Sequence, residues 1–387
     1  MDYFLTEFQR EMKELARQIA EEKIKPVRAK YDEEEIFPWD IMKVLAQSDM
    51  FGIYIPEEYG GLGGGVFDLC LVVEELSKVC GGIAVSYAAT ALGTFPILMF
   101  GSEEQKKKYL PDIASGKKLA AFALTEANAG SDASAIQTTA RREGDYYILN
   151  GTKQWITNGG EAEVYTVIAI TDRSKGARGA SAFIVEKGME GFSFGKKEKK
   201  LGIRSSATRE LLFDNCKVPK ENLLGHEGMG FIIAMKTFDT SRPGIAAQAV
   251  GIAQGALDEA IAYIREREQF GQKIISFQAI QHMIANMATE IEAARQLTYF
   301  VAKLIDSGEK DVAKYSAMCK MFASDVAIRV TVDAVQLLGG YGYMREYPLE
   351  KYMRDAKITQ IYEGTNQIQR NIIAQHLIRE AASKKKK

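Results

Sequence analysis

The chain has 387 residues, of which 46% are hydrophobic and 26% charged, with 50 basic and 51 acidic side chains and a formal net charge of -1. That length suits two or three packed units better than one core. The even charge balance gives no basic excess for nucleic acid, and no long apolar run predicts a membrane span or a signal segment, so a cytoplasmic protein is expected.

From Thr6 onward, Phe8, Met12, Leu15 and Ile19 recur at helical spacing, with Thr6 and Gln9 in capping-box positions. Further helices are predicted over residues 40–48, 66–79 and 102–110. The run Gly60-Gly61-Leu62-Gly63-Gly64-Gly65 between them lacks the order of a phosphate loop and reads as a flexible turn. Residues 1–118 are therefore expected to form a helical unit. Over residues 119–228 the pattern changes to short β-rich runs at 146–149, 152–156, 164–170, 182–185 and 210–213. Asn150-Gly151 predicts a hairpin between the first two, and the unit reads as a small antiparallel sheet or barrel.

Over residues 229–387 the period is helical again. Ala246, Val250, Ala253, Leu257 and Ile264 make one stripe; Ile280, Ile284, Met287, Ile291, Ala294 and Val301 a second; Val312, Tyr315, Phe322, Val326 and Val335 a third. With a fourth helix after Thr365, these predict a four-helix bundle. Pro243 predicts a kink or a helix start, and Lys384 to Lys387 a solvated tail. Cys70, Cys80, Cys216 and Cys319 are widely spaced, and His226, His282 and His376 are isolated. Reduced thiols and no metal site are expected.

Three strings carry chemistry. Gln360-Ile361-Tyr362-Glu363-Gly364-Thr365-Asn366-Gln367-Ile368-Gln369-Arg370 sets a carboxylate beside a glycine and a cluster of amides, which makes Glu363 a candidate base. Read locally, Thr365 is a helix cap and Gly364 a turn. The second string is Phe122-Ala123-Leu124-Thr125-Glu126-Ala127-Asn128-Ala129-Gly130-Ser131-Asp132, and the third Trp155-Ile156-Thr157-Asn158. A flat heteroaromatic ring needs hydrogen bonds along its edge and gains from an aromatic wall, a task that suits Trp155 and Thr157.

Together these strings resemble the signatures of acyl-CoA dehydrogenases, and the similarity covers essentially the whole chain. The resemblance implies an α+β multidomain protein, with an α-helical N-terminal domain, an antiparallel β middle domain and a C-terminal four-helix bundle. It implies FAD as cofactor, an acyl-CoA substrate, an electron-transfer flavoprotein as partner and a homotetramer. Glu363 would remove the α-proton, while its backbone N–H and a ribityl hydroxyl hold the thioester oxygen, and the β-hydride would pass to flavin N5. Around the flavin the resemblance places Phe122, Leu124, Thr125, Ser131, Trp155, Ile156, Thr157, Thr365 and Gln367. Arg267, Phe270, Gln278, Gln336, Gly339 and Gly340 would hold its dinucleotide end, partly across a subunit interface. Ser131, Asp239, Arg242, Tyr362 and Gly364 would meet the substrate.

Local readings stand beside these. Arg267 also reads as a solvated helix face, Gly339-Gly340 as a helix stop, and Asp239 with Arg242 as an i, i+3 ion pair. Relatives that carry the base on the first bundle helix have a glutamate where this chain has Ser241, so Glu363 is the expected base; an aspartate there would have suited nitroalkane oxidases. Residues 83–98, which match the acyl pocket floor, contain no Arg or Lys, which disfavours a dicarboxylic substrate. The Phe238-Asp239-Thr240-Ser241-Arg242-Pro243 order leans toward short or medium chains. The alternatives are the same site run as an enoyl-CoA reductase, a non-catalytic acyl-CoA-binding protein of this fold, and an oxidase using molecular oxygen.

Overall fold

The computed structural model describes residues 3–384; Met1, Asp2 and the Lys385–Lys387 end of the lysine run lie outside the described residues. The chain begins with α1 (Glu7–Ile19), α2 (Arg28–Glu33), α3 (Trp39–Gln47), α4 (Val66–Ser77), α5 (Gly81–Phe100) and α6 (Glu103–Ala114). Thr6 closes the start of α1 as its spacing predicts. Its Oγ1 accepts from Gln9 N at 3.2 Å, and its own N–H donates to Gln9 Oε1 at 3.1 Å.

α5 carries no predicted period because it is apolar on all sides. By length and composition it would suffice to cross a bilayer, which corrects the expectation that no stretch would. Its best window is 72% buried inside the protein, so here it is a core helix.

The middle of the chain forms β1 (Ala120–Ala123), β2 (Thr139–Glu143), β3 (Tyr146–Thr157), β4 (Val164–Ile170), β5 (Ala180–Glu186), β6 (Phe192–Lys197), β7 (Thr208–Pro219) and β8 (Leu223–Leu224). They make one sheet in the order β6-β7-β3-β2-β4-β5-β8, with β1 beside β4. Pairing is antiparallel except that β4 runs parallel to β1 and, at one residue pair, to β2. The hairpin expected at Asn150-Gly151 is not there. β3 runs straight through it, and the register against β7 shifts between Leu149 and Gly151. Gly151 takes φ 143°, and a Cβ there would stand 2.6 Å from Thr138 Oγ1. The glycine serves a bulge rather than a turn, and the chain reverses at Gly144-Asp145, between β2 and β3.

The third part holds α7 (Gly230–Ile264), the short strands β9 (Glu268–Gln269) and β10 (Gln272–Lys273), then α8 (Gln278–Asp306), α9 (Ala313–Leu338), α10 (Leu349–Thr359) and α11 (Asn366–Lys384). Pro243 does not start a helix; α7 passes through it. Proline has no N–H for the carbonyl of Asp239 four residues back, and Ser316 Oγ on α9 donates to that carbonyl instead.

The helix expected after Thr365 is present as α11, and a further helix, α10, shares the bundle core. Leu349, Tyr352 and Ala356 of α10 complete the core of α7, α8 and α9. α11 packs against α9 and leaves Leu377 and Ile378 exposed. The first helices and the sheet share a second core, joined to the bundle by buried polar contacts. Arg295 Nε on α8 donates to Glu74 Oε1 on α4 at 2.8 Å, and Tyr299 OH to Glu74 Oε2 at 2.7 Å. Asp306, the last residue of α8, accepts from Val66 N at 2.7 Å and Phe67 N at 2.8 Å, so the bundle caps the N-terminus of α4.

Candidate active site

The connection from α10 to α11 carries two consecutive residues in the left-handed region, Glu363 at φ 51° and Gly364 at φ 92°. For Glu363 that conformation is strained and persists only if its surroundings enforce it. Four side-chain bonds do so. Arg242 Nε and Gln369 Nε2 donate to the Glu363 carbonyl at 3.2 and 3.1 Å, and Gln369 Nε2 and Lys320 Nζ to the Gly364 carbonyl, both at 2.8 Å. A Cβ on residue 364 would sit 2.6 Å from Gln369 Nε2, so a glycine is needed. Among the described residues the backbone N–H of Glu363 has no acceptor, which leaves it available to a ligand.

The Glu363 carboxylate accepts from Ser241 Oγ on α7 at 2.6 Å. Burial drives its pKa up to about 7, against the opposing pull of the Ser241 hydroxyl, the Arg242 guanidinium and the Lys320 ammonium. The carboxyl therefore titrates near neutrality, where a general base is most effective. Arg242 is 3% exposed and pairs with Asp239 at 3.2 Å. Both stand beside the base, on α7, and neither lines the two cavities described next. Tyr362 OH donates to Gln248 Oε1, fixing the residue before the base.

Glu363 and Tyr362 close an apolar cavity of about 120 Å³ walled by Leu92 and Phe95 of α5, Phe122 of β1, and Phe238 and Ile245 of α7. Thr125, Trp155, Thr157, Tyr362 and Glu363 also line a larger adjoining cleft of about 650 Å³, which continues to Ser131, Thr365, Leu201 and Arg354. Leu124 and Ile156 line the apolar cavity. Trp155 has φ 57° at the second bulge of β3, which turns it outward to 57% exposure. A buried ion pair supports this wall. Lys153 Nζ meets Glu126 Oε1 at 2.7 Å and the Leu124 carbonyl at 3.0 Å, while Glu126 accepts from Gln137 N and Thr138 N at 2.6 and 2.9 Å. Gln154 N donates to Thr125 O at 2.8 Å, so the loop after β1 is tied to the strand that presents Trp155. An outward indole with threonine and serine hydroxyls at one open cleft fits a broad flat ring with polar edges, as FAD offers.

Arg267, Gln336, Gly339 and Gly340 are elsewhere. They line a separate cleft of about 760 Å³ at the end of the bundle, which shares no residue with the other two. Gly339, φ 60°, ends α9 as the helix stop its sequence suggests. Phe270 is 94% exposed at the β9–β10 turn; Gln278, at the start of α8, and Gln367 are exposed as well. One chain thus does not bring the two sets of expected cofactor residues together.

Sequence reasoning passed over Lys320, Gln369, Lys153 and the Ser241 contact. For Lys320 a signal exists: Ser316, Lys320 and Ser324 repeat every four residues along α9, and all three are fully buried, a polar stripe where an apolar one is expected.

Comparison with known proteins gives a consistent result. Residues 6–117, 121–216 and 228–378 match the family models for the acyl-CoA dehydrogenase N-terminal, middle and C-terminal domains. The chain is 50% identical over 380 residues to "Acyl-CoA dehydrogenase, short-chain specific" of Clostridium acetobutylicum, covering 98% of this chain and 100% of that one. It is 49% identical over 381 residues to "Acryloyl-CoA reductase (NADH)" of Anaerotignum propionicum, covering 98% and 96%. Among solved structures it superposes with a TM-score of 0.96 and 54% identity, over 98% of this chain and 100% of the other, on a chain from work on the electron transferring flavoprotein of Acidaminococcus fermentans and flavin-based electron bifurcation. An acyl-CoA dehydrogenase complexed with FAD from Bacillus anthracis gives 0.92 and 37%, over 99% and 70%.

Proposed function

This chain belongs to the acyl-CoA dehydrogenase family, an FAD-dependent family of oxidoreductases, and on that premise we propose that it dehydrogenates a short-chain acyl-CoA between Cα and Cβ, with Glu363 as base. The observation that carries the reading is the placing of the Glu363 carboxylate and its free backbone N–H at the mouth of an apolar cavity, next to the cleft that presents Trp155 and Thr157. The acyl chain enters that cavity, and the thioester oxygen lies on the Glu363 N–H, which stabilises the negative charge that develops as the α-proton leaves for the carboxylate. FAD bound in the adjoining cleft would supply the acceptor for the β-hydrogen and its electron pair, which would leave a trans Cα–Cβ double bond. Thr125, Ser131, Trp155 and Thr157 would hold the ring, and Ser241, Arg242 and Gln369 hold the base.

Cavity size supports a short chain. A cavity of about 150 Å³ takes a benzene ring, so one of about 120 Å³ suits an acyl group of four or five carbons. The walls carry no cation for a distal carboxylate. The relative named short-chain specific supports the same size class. The separate cleft at Arg267, Gln336, Gly339 and Gly340, apart from the ring site in one chain, supports a dinucleotide end held between copies of the chain. The match to the electron transferring flavoprotein work supports such a flavoprotein as electron acceptor. The acryloyl-CoA reductase relative favours a second reading, in which the same groups run toward the saturated thioester.

The test is anaerobic titration of the FAD-loaded protein with saturated acyl-CoA thioesters of increasing length. Bleaching of the flavin that is strongest at four carbons supports the proposal. No bleaching by any saturated thioester, with reoxidation of reduced protein by an enoyl thioester, supports the second reading.

A further inference from the structure

Burying an ammonium costs several kcal/mol, and a methionine would fill the volume of Lys320 without that cost. Lys320 is nevertheless fully buried on α9, and its Nζ donates to the Gly364 carbonyl at 2.8 Å and to Asn366 Oδ1 at 3.0 Å. The Asn366 amide in turn donates to Ser324 Oγ at 2.9 Å and Asp325 Oδ1 at 2.7 Å. The first residue of α11 is thereby locked to α9 on one side of the strained turn, while Arg242 and Ser241 of α7 hold it on the other.

We propose that Lys320 is a positioning residue for the base: its grip on Gly364 and Asn366 keeps Glu363 in the left-handed turn, and its charge keeps the carboxylate available as an anion. This rests on the reading of Glu363 as the base. Lys320 faces Glu363 from the turn, Arg242 from α7 and Asp325 from its own helix, and Arg242 faces Asp239 and Cys319. Burial depresses Lys320 to about 7, with Glu363 pulling it up and Arg242 pushing it down. Lys320 and Glu363 each favour the charged form of the other.

The experiment compares Lys320→Gln, Lys320→Met and Glu363→Gln in the FAD-loaded protein. It reads kcat and KM for a short-chain acyl-CoA against pH, and the Glu363 carboxyl band by infrared difference against Glu363→Gln. Glutamine keeps a donor without the charge, so it should move the acid limb of kcat and the carboxyl titration to higher pH with KM unchanged. On the acid side each unit of that shift costs about tenfold in kcat. Methionine should shift both further and lower the plateau rate as the turn loosens. A folded Lys320→Gln protein with the wild-type limb and carboxyl titration overturns the proposal, even if it is less stable. Should both variants fail to fold, Asn366→Ala, which removes one arm of the Lys320 grip, decides: an unchanged plateau rate and an unchanged carboxyl titration in the folded variant overturn it. Full activity in Glu363→Gln would instead remove the base assignment, so the two failures are distinguishable.

Discussion

Two glutamates, Glu126 buried and Glu363 half-buried, each with a buried lysine nearby, do opposite things. Glu126 touches Lys153 at 2.7 Å and accepts two backbone N–H bonds, and these outweigh its burial, so its pKa is lowered. Burial depresses Lys153 to about 8, still above neutrality, so the pair is charged at pH 7. Glu363 has its lysine one peptide away, on the Gly364 carbonyl, and only a serine hydroxyl on its carboxylate. There burial wins, and the group titrates near 7. Direct contact makes a permanent anion that braces the loop after β1; a lysine held off by one peptide leaves a carboxylate that can take and release a proton.

The sharpest way to break this contrast is Glu363→Gln. Loss of a general base costs roughly 10²- to 10⁴-fold in kcat, with cofactor and acyl-CoA binding retained. Stability should respond in the opposite sense. With its folded pKa above the ordinary 4.5, Glu363 binds its proton more tightly in the folded state, so it lowers stability progressively as pH rises from that value through about 7. Denaturant unfolding should therefore find Glu363→Gln gaining stability over the parent as pH rises. Glu126, with a lowered pKa, contributes stability above the ordinary value that is lost as pH falls through its folded pKa.

Next in size is Lys153→Met, which strands the Glu126 charge; an unfolding cost of about 3–5 kcal/mol is expected, together with weaker FAD retention on gel filtration. Ser241→Ala should leave the fold alone and raise the pKa of the base. A hydrogen bond to a charged group is worth about 1.5–3 kcal/mol, so kcat on the acid limb should fall by roughly 10- to 100-fold and recover at alkaline pH. Thr6→Ala removes a helix cap far from both glutamates. About 1 kcal/mol of stability should go, and a full kcat would show that the contrast is local.

Much of this was legible in the sequence, but unevenly. The Thr6 cap, the stripes of α7 to α9 and the string around Glu363 are local patterns, and local patterns survive in a one-dimensional reading. Lys153 was not legible, because a lysine in a strand ordinarily faces water and only the approach of Glu126, 27 residues earlier, makes its burial tolerable. α5 carried no period because it has no wet face. Asn150-Gly151 has the composition of a turn but sits where Thr138 leaves no room for a side chain on residue 151. Pro243 would stop an exposed helix; inside the bundle, Ser316 takes up the carbonyl it leaves free. In each case a partner distant in the chain decides the outcome.

The cap that Asp306 places on α4 has a consequence for how the protein is made. Val66 and its capping carboxylate are 240 residues apart, and ribosomes add about 5–20 residues per second. The first helices therefore emerge tens of seconds before the group that completes them, and during that interval the N–H groups of Val66 and Phe67 at the start of α4 lack the carboxylate that accepts from them. A nascent chain halted before residue 306 should be held by chaperones and remain open to proteases, however well formed its sheet.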